Sequence, residues 1–177
     1  MNQEGAMFEL KPLSKEAIPR ALKRAERYRL LNEPREAESI CCDVLKTEPE
    51  NQEALVMLLL ALTDQFRKGS TVGVNQAREI LPRLKDEYEK LYYAGVICER
   101  WGKFQLKEAV PAHLAHGWLR EAMNCFERAE ALSPWQNEDA ILRWNACARI
   151  IMRERPAERA APEALSPHGV DEEVPPR

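Results

Sequence analysis

Two strings of this chain, 85 residues apart (120 minus 35), follow one pattern. Arg35-Glu36-Ala37 and Arg120-Glu121-Ala122 each open a helix-like stretch. Small or apolar residues stand four and seven places after each alanine, Cys41 and Val44 in the first string, Phe126 and Ala129 in the second. A proline follows twelve places after each alanine, Pro49 and Pro134. Steps of four and three put all three residues on one helix face, and the proline stops the helix. A unit of this kind cannot bury its apolar face alone, so it demands stacked neighbours.

The rest of the chain fits that demand. Residues 17–31 carry Ala17, Ala21, Ala25 and Tyr28 at helical spacing. Asn32-Glu33-Pro34 breaks this helix, and Pro34 suits the first turn of the next, 34–47. A third helix over 52–66 is apolar on several faces, from Leu55 to Leu62, as expected of a helix held between neighbours. A loop with Gly69, Ser70 and Gly73 follows. Further helices are expected at 75–84, 86–101, 117–132 and 137–152. Pro82 should kink or shorten the first of these. Residues 102–116 look like an insert, although Pro111 also suits a helix start that runs on into 117–132. No alternating β-branched run signals a sheet. The fold class is all-α, with about seven helices.

Composition narrows the function. The formal net charge is −3, which leaves no electrostatic footprint for nucleic acid. The longest apolar run, 54–62, is too short to span a bilayer, and mean hydropathy is −0.52. No signal-peptide pattern opens the chain, so a cytoplasmic location is expected. Seven glycines form no phosphate-binding loop, and no nucleophile motif occurs. No catalytic residue and no cofactor are expected. The five cysteines, Cys41, Cys42, Cys98, Cys125 and Cys147, are odd in number and lack C-x-x-C spacing. They are read as reduced, mostly packed thiols. Residues 154–177 hold five of the 12 prolines and no aromatic residue. Six acids there against three bases give −3, the charge of the whole chain. Such a segment is expected to be a disordered acidic tail. The chain then divides into an N-terminal arm (1–16), a helical repeat domain (17–153) and that tail.

The Arg-Glu-Ala…Pro strings and the turn Asn-Glu-Pro-Arg-Glu-Ala-Glu (32–38) resemble the tetratricopeptide repeat family. The resemblance covers about 17–152. It is strong in the first and third helix pairs and weaker in the second, where Ala77 is the small residue. It implies a right-handed superhelix of antiparallel helix pairs whose first helices line a concave groove for a protein or peptide segment. By family geometry that groove would hold Leu22, Glu26 and Arg29; Val56, Met57, Leu60 and Asp64; Tyr92, Tyr93, Val96 and Arg100; and Ile141, Asn145 and Arg149. One branch of the family clamps acidic chaperone tails with Lys, Asn and Arg. The matching positions here are Leu22, Glu26 and Met57, which offer a carboxylate no cation. The expected role is therefore a scaffold or adaptor that binds without chemistry.

Two other roles remain open. The groove could hold an unfolded secreted or assembling client, as a chaperone does. Alternatively, residues 102–118 could form an enzymatic or metal site, since His113-x-x-His116 places two imidazoles on one helix face. Surface histidines are the plainer reading. Lys15, Arg20, Lys23, Arg24, Arg27 and Arg29 against Glu16 and Glu26 make a local +4. It is either a solvated face or a dock for an acidic segment, the chain's own tail included. Trp101, Trp118, Trp135 and Trp144 are expected in the packing. Three pairs and a closing helix are few, so a homodimer is possible.

Overall fold

The computed structural model describes residues 9–67, 72–108, 110–134 and 136–154. The loop at Gly69 and Ser70, Trp135, and the tail beyond Glu154 lie outside the described residues. Those described contain seven α-helices and no strand. They are α1 (Ile18–Leu30), α2 (Pro34–Thr47), α3 (Gln52–Asp64), α4 (Val74–Arg78), α5 (Glu87–Lys107), α6 (Ala112–Glu130) and α7 (Asp139–Glu154).

The helix starts have local causes. Pro19 and Pro34 sit in the first turns of α1 and α2, where a missing N–H costs nothing. Asn32, at φ 60°, turns the chain between them, a conformation asparagine tolerates. Asn51 Oδ1 accepts from Ala54 N at 2.9 Å, and Asp86 Oδ1 from Glu89 N at 2.9 Å, so α3 and α5 begin with side-chain caps. Of the expected arm, Leu13 packs beside Ile18 and Leu22, and its carbonyl accepts from Thr47 Oγ1 at 3.0 Å.

Two expected elements differ. In place of a helix over 75–84, α4 stops at Arg78 and a 3-10 turn, Leu81–Arg83, follows. Pro82 has no N–H for an α-helical bond, which is why the helix cannot run through. The insert at 102–116 is largely absent as a separate feature. Helix α5 runs six residues past Trp101, and α6 starts five residues before Gly117. The extra chain lengthens one hairpin. Gly102 permits this: a Cβ there would lie 3.1 Å from the Ala115 carbonyl oxygen and from Leu119 Cγ.

Helices α1, α2 and α3 alternate in direction, as do α5, α6 and α7. Glu38 meets Gln65 across α2 and α3, while Val44 clusters with Ala54. Gly95 lies against Phe126 and Gly102 against Ala115 across α5 and α6. Across the short α4 the direction is kept: Gln52 meets Arg83 and Lys85 at one end of α3 and Asp64 meets Arg100 at the other, so α3 and α5 are parallel. The odd-numbered helices thus run the same way, with α1 packed on α3 and α3 on α5. Three apolar clusters fill the stack, one around Leu55, Leu59 and Ile97, one around Leu119, Phe126 and Cys147, and a smaller one of Ile18, Leu22, Val44 and Ala54. Leu60 and Tyr93 pack against the first two and join them.

Candidate functional site

The face shared by the odd helices carries two ion clusters. In the first, Arg29 of α1 donates from Nε to Asp64 Oδ2 of α3 at 2.8 Å. Its Nη1 also approaches Met57 Sδ at 3.8 Å. From α5, Arg100 Nη1 donates to Asp64 Oδ1, to Thr63 Oγ1 at 2.6 Å and to the Leu60 carbonyl at 3.2 Å. Burial lowers the pKa of Arg100, and the Asp64 carboxylate opposes that shift.

The second cluster ties α5 to α7. Glu99 is only 2% exposed, yet it carries a carboxylate. Lys103 donates to its Oε1, and Arg143 Nη1 to its Oε2 at 2.8 Å. Arg143 Nε also donates to the Tyr92 hydroxyl at 2.8 Å, with the guanidinium 5.6 Å from the Tyr92 ring centre. Although burial disfavours its charge, Glu99 and Tyr92 raise the Arg143 pKa overall. Tyr92 in turn stacks on Tyr88 at 5.7 Å and meets Tyr93 edge-on at 5.2 Å.

Between the clusters lies a cleft of about 390 Å³ walled by Thr63, Asp64, Phe66, Glu99, Arg100, Lys103, Phe104, Lys107 and Arg143. Four cations against two carboxylates leave it at +2. Trp101 bridges its aromatic walls, 5.1 Å from both Phe66 and Phe104 between ring centres. A hollow of about 420 Å³ at the helix ends shares Asp64 with this cleft. Its other walls come from the α1–α2 turn, the first turn of α2 and the chain just past α3, and their charges, Glu33 and Glu36 against Arg35 and Arg67, cancel.

The expected groove residues meet different fates. Arg29, Met57, Leu60, Asp64, Tyr92 and Arg100 are brought together by the contacts above. Val56 and Tyr93 are half-buried and pack into the core beside them. Leu22 and Val96 are 3% and 0% exposed, packed in the apolar clusters, and present no surface to a partner. Glu26 is exposed on α1. On α7 the expected face is displaced. The inward residue is Arg143, about 160° round the helix from Ile141 and Asn145. Ile141 lines a separate hollow with Trp144, Glu127 and Glu130 of α6. Arg149 is exposed.

Sequence reasoning missed Glu99, Lys103, Phe104 and Arg143. A lone acid directly after the apolar run Gly95–Cys98, with a basic residue four places on, was the available signal for Glu99. Elsewhere, His113 is exposed and His116 buried. Among the described residues, no group of three or more His, Cys, Asp or Glu side chains gathers as metal ligands would. Arg20, Lys23, Arg24 and Arg27 form an exposed basic face on α1, while Arg29 turns inward to Asp64. No described helix is long and apolar enough to cross a membrane. Compared with known protein families, curated proteins and solved structures, the chain matches none.

Proposed function

We propose that the chain is a non-enzymatic interaction module of tetratricopeptide type. In this reading the helix pairs wind into a right-handed superhelix, and the face of α1, α3, α5 and α7 holds a segment of a partner polypeptide. One observation carries the reading. Polar side chains from four parallel helices converge beside a cleft with phenylalanine walls and a cationic rim. Arginine forks recognise carboxylates and backbone carbonyls, and the rings supply apolar area at low entropic cost. A surface already held by its own ion pairs needs little ordering when a partner arrives. A cytoplasmic setting belongs to the same proposal and suits five free thiols.

The test is selection of short random peptides on the full-length protein. Enriched peptides should lose about tenfold in affinity, ~1.4 kcal/mol, on Lys107→Glu, an exposed position. Circular dichroism and the melting temperature of that variant should stay as in the parent. No enrichment, or equal binding to the variant, would refute the proposed site.

A further inference from the structure

We infer that the cleft between α3, α5 and α7 receives the chain's own acidic segment, Asp171-Glu172-Glu173. The inference rests on the reading of that face as a polypeptide-binding surface, and it names a resident occupant. Charge complementarity is the first ground. The cleft carries Arg100, Lys103, Lys107 and Arg143 against Asp64 and Glu99, and three consecutive acids oppose that excess. Val170 and Val174 flank the acids and offer apolar contacts to Phe66 and Phe104.

The second ground is position. Asn137 Nδ2 donates to the Tyr88 hydroxyl at 3.0 Å, and Arg143 reaches Tyr92 and Glu99 further along. Leu106 then shares an apolar cluster with Ile150 and Ile151. Residue numbers rise together on both helices, so α5 and α7 are parallel. Helix α7 accordingly ends at Glu154 near the level of Phe104 and Lys107. Seventeen residues separate Glu154 from Asp171 (171 minus 154). The reach of a chain of that length is at most roughly 56 Å, well beyond one helix spacing. The basic face of α1 lies three odd-helix spacings from α7, which makes it the poorer match. Tethering gives the segment a high effective concentration at the cleft. An incoming partner segment must displace it.

A zero-length carbodiimide tests this on the full-length protein. It joins a carboxylate to a lysine amine as an amide, and the water lost is taken up as the urea. Monomeric product is digested and mapped by mass spectrometry. Cross-links from Asp171, Glu172 or Glu173 to Lys103 or Lys107 are expected. They should fall roughly fivefold when high salt shortens the screening length, measured against cross-links within helices. Combining Lys103→Glu and Lys107→Glu with Asp171→Lys, Glu172→Lys and Glu173→Lys should restore the link with its chemistry reversed. Links from 171–173 only to Lys15 or Lys23, only between molecules, or to no lysine would overturn the inference. The readout needs no outside partner. It can succeed while peptide selection fails, and the reverse, so the two readings stand or fall separately.

Discussion

A Cβ on Gly95 would lie 2.5 Å from Phe126 Cε1, so this glycine sets how closely α5 and α6 approach. Phe126 is fully buried and cannot swing away. Gly95→Ala gains up to about 1 kcal/mol in helix propensity but faces an overpacking cost of about 1–3 kcal/mol. The urea midpoint should therefore fall, and Phe126→Leu should recover part of it. Gly117 is also helical but has nothing within 4 Å of its would-be Cβ. Gly117→Ala should raise the midpoint by up to about 1 kcal/mol of stability. A higher midpoint for Gly95→Ala would contradict the packing described. The thiols make a second residue-scale prediction. Cys42 is exposed and the other four are buried, so a thiol reagent should consume one quickly and four only on unfolding. Burial pushes Cys41 and Cys147 up to about 12 and Cys125 up to about 11. Unfolded thiols ionise near pH 9 while these hold their protons. Their contribution is intact below that pH and fades as pH rises toward 12. The urea midpoint should decline steadily across that window.

At the level of elements, the bridge from α7 to α5 through Arg143 and Glu99 is the contact most open to test. Removing one partner of a buried pair leaves an uncompensated charge. Arg143 is about a third exposed and Lys103 remains beside Glu99, so Arg143→Met should cost about 2 kcal/mol, below the usual range. Pairing it with Glu99→Leu should recover most of the loss. Additive losses in that double-variant cycle would show that the two side chains do not act together. The elements differed in how far the sequence disclosed them. Pro34, Pro49 and Pro82 act through their own rings, so the breaks they impose were readable locally. Gly102 and Gly117 look like breaks by the same local logic, yet both lie inside helices. Contact with Ala115 and Leu119 holds the chain helical at Gly102, and that contact is tertiary. The α7 face was misplaced for a related reason. Ile141 and Asn145 fit a repeated register, whereas the buried carboxylate of Glu99 selects Arg143.

Across the whole molecule, the helices that hold the stack together are also the ones proposed to bind. Leu60 and Tyr93 join two apolar clusters that are otherwise separate, in keeping with a stack held by nearest neighbours. The all-helical class was legible from periodicity, because apolar spacing is a property of the chain alone. The cleft was not, because Phe66, Phe104 and Lys107 come together only once α3 and α5 lie side by side. The central claim is that this shared face takes a polypeptide segment. Backbone amide shifts recorded while a selected peptide is titrated into the full-length protein test it most directly. The account predicts the largest shifts at Thr63, Phe66, Arg100, Lys103, Phe104 and Arg143. Shifts concentrated on α2, or along the exposed stripe of α7 from Leu142 to Met152, would contradict it.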